Sequence, residues 1–487
     1  KEVVTANMSG EAPKNPSSTG FGPNEWLVDE IYQQYLNNKN SVDPSWWEFF
    51  GDYSPTERNA AKIANEAKNS TPVVEPIARK PVEEIVPIRK KVIEVPTSNE
   101  AVTETIRGTS ARVVTNMEAS LKVPTATSVR SVPAILLQEN RTFINNHLAR
   151  RRGGKVSYTH IIAYAVAKAV SDIKEMNTAY TVVDDKPAII KYPHVGLGLA
   201  IDLAKPDGSR QLLVPSIKGC EDLDFAQFWS AYEDTVRKAR GGSLIVEDFA
   251  GTTISLTNPG TIGTVHSVPR LVQGQGMILG VGALDYPAEF HGANEQTLSE
   301  LGISKVVTLT STYDHRIIQG AQSGDFLRRI HEILLGEENF YDEIFEALRI
   351  PYVPIRWVTD MQDAKADESV KTAKVQKLID AYRTTGHLMA DVDPLTYVQR
   401  SHPDLDVVTH GLSLWDLDRE FATDDFGAKS SMKLRRILGI LRDSYCRTIG
   451  VEYMYIANPA ERKWIQERIE VGAPRTAREE QLRILRK

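Results

Sequence analysis

The chain reads as an α/β protein in its middle, with a proline-rich linker before that domain and a helical stretch after it. Three observations predict this. β-Branched runs recur between about 193 and 315, as PHVGLGLAIDL, RQLLVPSI, GTTISLTNPG, GMILGVGAL and SKVVTLTSTYDH. Helix-period segments at about 157–176 and 321–335 alternate with them irregularly, which favours packed layers over a regular βαβ repeat. From 371 to 470 the apolar spacing is helical.

The elements follow in order. Residues 1–20 are polar and rich in Gly, Pro, Ser and Asn, and read as disordered. Residues 21–53 form an aromatic island. Trp26, Leu27, Ile31 and Tyr35 fall at helical spacing behind Asn24 as N-cap, and Asp43-Pro44 opens a second short helix carrying Trp46, Trp47, Phe49 and Phe50. So small a segment cannot easily bury that many rings, so it is expected to dock on another surface, with a two-helix core of its own as the alternative. Residues 54–104 contain no glycine and repeat proline among Val, Ile, Glu and Lys, which gives an extended linker. One globular domain is expected over 105–337, with Ser157 capping its first strong helix and Asn177 near that helix's end. Residues 338–370 read as a second connection. Residues 371–487 read as all-helical, and REEQLRILRK opens a further helix in the manner of the front edge of a larger domain.

Composition excludes several classes. Lys+Arg 58 against Asp+Glu 64 leaves a charge of −6, which argues against a nucleic-acid partner. The two cysteines, Cys220 and Cys446, lie far apart and form no CxxC pair, which excludes disulfide and zinc scaffolds and favours a reducing compartment. No run approaches the roughly 18 apolar residues of a membrane span, and the first residues carry no apolar signal. A soluble, cytoplasmic protein with no membrane partner is the expectation.

Two windows carry chemistry. In TSTYDHRIIQGAQSGDFL (310–327) a β-branched run delivers Asp314-His315-Arg316 to a turn before a helix. A histidine at a strand end suits general-base work, although on spacing alone a hydrogen-bonded structural histidine is the more frequent case. In GTTISLTNPGTIGTVHSVPRL (251–271) a strand runs into Thr257-Asn258-Pro259-Gly260 and a loop holding His266. A hydroxyl at that strand end can donate to an oxyanion. Arg316 and the basic stretch 148–155 are candidates for phosphate contacts or for plain surface. His387, Asp391, Glu452 and Tyr453 read as packing residues.

ISLTNPGTIGT, MILGVGAL and DHRIIQGAQSGDFL resemble the catalytic domain of dihydrolipoyl acyltransferases, the second component of 2-oxo acid dehydrogenase complexes. The resemblance implies a chloramphenicol-acetyltransferase-like fold, trimers, and an active site between neighbouring subunits. It implies His315 as the residue that deprotonates the attacking thiol and Thr257 as the hydroxyl donor to the tetrahedral intermediate, with Asp314 and Arg316 in support. Coenzyme A is the implied co-substrate. The family motif reads His-x-x-x-Asp-Gly, whereas here Gln319 precedes Gly320; the family carboxylate is taken as structural, so that the amide suffices. Neither a lipoyl domain nor a subunit-binding domain is visible in 1–104, so lipoamide is expected in trans.

AYRTTGHLMADVDPL, YCRTIGVEYMYIANPAERKWIQERIE and EEQLRILRK resemble the front of 2-oxoglutarate dehydrogenase, the thiamine-dependent first component, and 21–53 resembles its N-terminus. Together these resemble the fused 2-oxoglutarate dehydrogenases of actinobacteria. That family implies succinyl as the acyl group. Thiamine diphosphate and Mg²⁺ are implied for the full-length protein only, since the diphosphate-binding Gly-Asp-Gly…Asn pattern is absent from the 487 residues. Implied partners are further copies of the chain in a trimer within a larger assembly, a lipoyl-bearing acyltransferase, dihydrolipoamide dehydrogenase, and a forkhead-associated regulator. A trimerising scaffold without strong activity is the alternative.

Overall fold

The computed structural model describes residues 109–487 except 152, 205–209, 273, 360–367, 394, 472–476 and 487, together with Tyr32, Tyr35, Leu36, Asn38, Lys39, Val42, Trp46, Trp47, Phe50, Thr103, Thr105 and Ile106. The stretch expected to be disordered, most of the expected linker, and Asn24, Trp26, Leu27, Ile31, Asp43, Pro44 and Phe49 lie outside the described residues. The chain divides into two units, one formed by residues 1–19 and 25–116, the other by 20–24 and 117–487.

In the first unit, Tyr32, Tyr35 and Leu36 are helical, as are Trp46, Trp47 and Phe50. Trp46 and Phe50 are buried and their rings stack at 5.1 Å, with Tyr32 and Tyr35 at 5.2 and 5.5 Å from Phe50. The described aromatic side chains thus pack on one another.

The second unit is built on a six-stranded sheet. Its strands are β1 (Thr125–Pro133), β4 (Leu197–Leu199), β7 (Ser216–Ile217), β8 (Ile254–Thr257), β9 (Met277–Asp285) and β10 (Val306–Asp314), in the spatial order β1-β10-β9-β8-β4-β7. The pairs β4–β8 and β8–β9 are parallel and the others antiparallel. β9 and β10 have neighbours on both sides, and most of their residues are buried, which accounts for their near-continuous run of apolar and small residues. Two hairpins stand outside this sheet: β2 (Thr178–Val183) with β3 (Lys186–Lys191), and β5 (Ile201–Ala204) with β6 (Arg210–Leu213).

The helices are α1 (Thr109–Ser120), α2 (Ile135–Arg151), α3 (Tyr158–Asp172), α4 (Phe225–Gly241), α5 (Val246–Phe249), α6 (Glu295–Glu300), α7 (Gly320–Leu334) and α8 (Phe340–Ala347). Ser157 caps α3 as expected, its hydroxyl accepting from the His160 N–H while His160 Nδ1 accepts from the Ser157 N–H. α3 is not a surface amphipathic helix, however. Every residue from His160 to Ala167 is buried, because α2, α4 and α7 pack around it. α7 buries Phe326, Leu327, Ile330, Ile333 and Leu334 along one stripe against β1 and α3.

Residues 338–359 correct the expected connection. Gly336 at φ 92 turns the chain into α8, whose Phe340, Tyr341, Ile344 and Phe345 are buried in the same core, followed by buried Ile350 and Ile355. The 371–487 region is not all-helical either. α9 (Glu368–Thr385), α10 (Leu434–Tyr445), α11 (Pro459–Ile469) and α12 (Arg478–Leu485) are joined by a long run of short turns and by the two-stranded β11 (Glu420–Ala422) and β12 (Ser431–Lys433). Glycine and proline punctuation across 386–427 breaks the periodicity that a helix needs. A buried network holds this part: Glu470 accepts from Arg383 Nε at 2.8 Å and from the Tyr445 hydroxyl at 2.6 Å, with Tyr453 at 2.9 Å from Tyr445.

The C-terminal part packs directly on α2. Asn140 exchanges two hydrogen bonds with the Ile355 backbone, Arg150 pairs with Asp443, and Arg435 bridges Glu139 of α2 and Asp418. Glu139 is fully buried, and burial pushes its carboxyl up to about 7 against the opposing pull of Arg435. The folded state therefore holds a proton that the unfolded chain releases between about pH 4.5 and 7. Stability is expected to fall as pH rises through that window and to level off above it, by about 3 kcal/mol at most. Thermal melts from pH 5 to 8 should show Glu139→Gln gaining on the unsubstituted chain as pH rises. Parallel profiles would show that Glu139 is ionised throughout.

Candidate active site

His315 follows the last residue of β10. Its backbone N–H donates to Pro124 O at 2.9 Å, and its side chain is exposed. Nδ1 lies 3.2 Å from Ile318 O. A carbonyl can only accept, so Nδ1 carries the ring proton and Nε2 is left with the free lone pair. The Tyr313 ring meets the imidazole edge-on at 5.5 Å.

Asp314 and Arg316 clasp the turn. Asp314 is 2% exposed and accepts from Arg316 Nε at 2.9 Å, Nη2 at 2.6 Å and the Arg316 N–H at 3.1 Å. The same guanidinium lies 3.7 Å from the Tyr180 ring centroid, and the hydrogen bond to Asp314 holds its pKa above the usual arginine value. Ile317 and Ile318 N–H both donate to Asp314 O, which sets the carbonyl that orients His315. Arg316 is therefore committed within the turn and is not a free phosphate ligand. Gln319 occupies the N-cap position of α7, with its N–H donating to Gln322 Oε1 at 2.8 Å and its side chain exposed without a capping bond.

Thr257 ends β8 half-buried. The turn after it is held by Asn258 Nδ2 donating to Thr159 Oγ1 at 2.6 Å and by Thr261 Oγ1 donating to Asn258 O at 3.2 Å. Glycines explain the two motifs: a Cβ on Gly260 would meet Gly282 backbone at 2.2 Å, and one on Gly282 would meet Val265 O at 1.8 Å. The 258–268 loop thus lies flat against β9. Ile262, Val265 and Val268 in that loop are 78%, 63% and 62% exposed, and His266 is exposed beside them.

One chain does not bring His315 and Thr257 together. Thr257 is level with Gly280 of β9, which is level with Thr310 of β10. His315 is five residues beyond Thr310, about 17 Å further along the strand direction. Arg150, within the basic stretch 148–155, is used by Asp443 rather than left for a ligand. Cys220 and Cys446 are buried free thiols, both pushed up to about 12 by burial. Tyr453 is buried as expected for packing, whereas Glu452 is exposed with its carboxylate 3.9 Å from His387 Nε2. Asp314 and Arg316, expected above as supports, pair with each other across the histidine turn; that pairing was not readable from spacing, although two opposite charges flanking the histidine were its signal.

Residues 97–340 match the family model described as 2-oxoacid dehydrogenases acyltransferase (catalytic domain), and residues 17–57 match that of the 2-oxoglutarate dehydrogenase N-terminus. A protein of Mycolicibacterium vanbaalenii named multifunctional 2-oxoglutarate metabolism enzyme is 52% identical over an alignment of 505 positions, covering 97% of this chain and 40% of that protein. One of the same name from Mycobacterium sp. (strain JLS) is 48% identical and covers 93% of this chain and 40% of its own length. The chain thus spans about two-fifths of the length of these relatives. Among solved structures, a probable dihydrolipoamide acetyltransferase from Listeria monocytogenes aligns with TM-score 0.43 and 23% identity, over 50% of this chain and 98% of that one. The α/β core that carries His315 and Thr257 falls inside the 97–340 match, and with it the chain belongs to the 2-oxoacid dehydrogenase acyltransferase family.

Proposed function

We propose that the core transfers a succinyl group between dihydrolipoamide and coenzyme A, as the acyltransferase part of a fused 2-oxoglutarate dehydrogenase. The observation that carries the reading is the fixed tautomer of His315, with Nε2 free on an exposed turn of the acyltransferase domain. Nε2 takes the thiol proton of coenzyme A, and the thiolate adds to the succinyl thioester carbon. Thr257 of a neighbouring copy donates its hydroxyl to the resulting oxyanion. Collapse breaks the bond to lipoamide sulfur, which leaves as thiolate and takes the proton from His315.

The distance between Thr257 and His315 within one chain supports a site shared between copies, and the exposed Ile262, Val265 and Val268 beside Thr257 are the kind of apolar patch that a neighbour covers. Lipoamide is supplied in trans, by a lipoyl-bearing acyltransferase that dihydrolipoamide dehydrogenase reoxidises. A thiamine-dependent first component fused to this core would carry thiamine diphosphate and Mg²⁺, and a separate forkhead-associated protein would act on it as a regulator. The setting is cytoplasmic; among the described residues no helix is long and apolar enough to cross a membrane.

Gln319 favours one second reading, a scaffold that trimerises the dehydrogenase component. The test is transfer from succinyl-coenzyme A to free dihydrolipoamide by this chain, with its oligomeric state measured alongside. Turnover supports the transferase. A trimer without turnover, regaining it on Gln319→Asp, supports the scaffold.

A further inference from the structure

Thr257 is the last residue of β8, and the chain on either side of it decides where its hydroxyl points. On the strand side its position is set by pairing. Ser255, Leu256 and Thr257 are level with Ile278, Leu279 and Gly280 of β9, and Leu256 O accepts from the Ala200 N–H at 2.9 Å. On the other side the chain leaves the sheet at once. Asn258 has φ −124 and ψ 78, which belongs to neither strand nor helix. Its side chain makes one hydrogen bond among the described residues: Nδ2 donates to Thr159 Oγ1 at 2.6 Å, while Oδ1 has no partner there.

That bond joins positions 99 apart and differs in kind from the others in the loop. Thr261 Oγ1 donates to Asn258 O at 3.2 Å, which tightens the turn on itself. The Ala283 N–H donates to Thr264 O at 2.8 Å, which anchors the loop to β9 further along. Asn258 instead ties the peptide directly after Thr257 to α3. Thr159 is a rigid anchor, because it stands between Ser157 and His160, which cap α3 reciprocally, and the helix is buried without a break from His160 to Ala167. A threonine hydroxyl donates to an oxyanion only along a direction set by its own backbone and χ1 well. Moving that backbone by about 1 Å is enough to cost about a hundredfold in rate.

We propose that Thr159 and Asn258 are positioning residues for the acyl-transfer hydroxyl: the amide, held by the threonine of α3, fixes the turn that aims Thr257 Oγ1. Neither side chain touches the reacting atoms. The proposal rests on the succinyl-transfer reading and deepens it, by giving the donor hydroxyl an anchor within its own chain.

The test is steady-state transfer from succinyl-coenzyme A to dihydrolipoamide by the whole 487-residue chain. Thr159→Val keeps the side-chain shape and removes the acceptor. Its kcat is expected to fall by about ten- to a hundredfold with both KM values unchanged. Thr159→Ser restores the hydroxyl and should keep the rate. Asn258→Ala should match Thr159→Val, and it decides the matter if the valine variant does not fold. Either slow substitution placed on Thr257→Ala should cost nothing further, because the hydroxyl it aims is already gone. Full rates in Thr159→Val and Asn258→Ala overturn the proposal, as does a Thr159→Ser chain as slow as Thr159→Val. Losses that multiply on Thr257→Ala, or that lie in KM alone, overturn it too and leave the pair as plain structure. An unsubstituted chain without turnover overturns the succinyl-transfer reading and this proposal with it, whereas an active chain with full-rate variants overturns this proposal alone.

Discussion

Replacing His315 with alanine is expected to lower succinyl transfer to dihydrolipoamide by roughly two to four orders of magnitude while leaving the oligomer and the melting transition unchanged. The stability half of that expectation follows from where the ring lies. His315 is exposed, and its side chain makes one hydrogen bond, to Ile318 O at 3.2 Å. Losing one exposed neutral hydrogen bond costs about 1 kcal/mol or less. The activity half follows from the same bond, which keeps the proton on Nδ1 and the lone pair on Nε2. Arg316→Met addresses the support instead. It frees the buried Asp314 carboxylate and loosens the turn whose Ile318 carbonyl orients the imidazole. A smaller loss in kcat is expected, together with a measurable drop in Tm, because a buried charge is left unpaired. An Arg316→Met chain as inactive as His315→Ala but equally stable would show that Arg316 touches substrate.

The sequence was most informative where side-chain pattern and structure are both local. The runs 276–284 and 304–315 became β9 and β10 because β-branched and small residues sit between two neighbours, and Ser157 capped α3 through a three-residue reciprocal bond. β1 escaped notice because TATSVRSVP is largely polar. It is an edge strand that pairs along the whole of β10 by backbone and by hydroxyl contacts such as Thr127 to Thr312 at 2.8 Å. α2 escaped for the converse reason, since Glu139 and Asn140 look like surface residues until Arg435 and Ile355 arrive to cover them. Those contacts join residues some 300 and 200 positions apart, which no local period encodes. At the site, the motifs placed His315 and Thr257 at strand ends, and the resemblance implied a site between neighbouring subunits. Their spacing within one chain was not readable, because it depends on the register across three strands.

That separation leads to the second large effect. Thr257→Ala is expected to reduce succinyl transfer by about two to three orders of magnitude, the usual loss on removing one oxyanion donor. If the donor and the base come from different copies, two inactive chains can repair each other. In a random equimolar assembly of Thr257→Ala and His315→Ala chains, an interface is competent when its hydroxyl comes from the second variant and its base from the first. Random assembly makes about a quarter of the interfaces competent, so about a quarter of the unsubstituted activity should return after co-refolding or co-expression. Reciprocal repair needs the two residues to meet only across a boundary, which a distance of about 17 Å within one chain requires of any shared reaction centre. Mixing the variants without subunit exchange should restore nothing, which separates assembly from contamination. No recovery after full exchange would place Thr257 and His315 in different sites and remove the hydroxyl from the mechanism, leaving the His315 result to stand or fall alone.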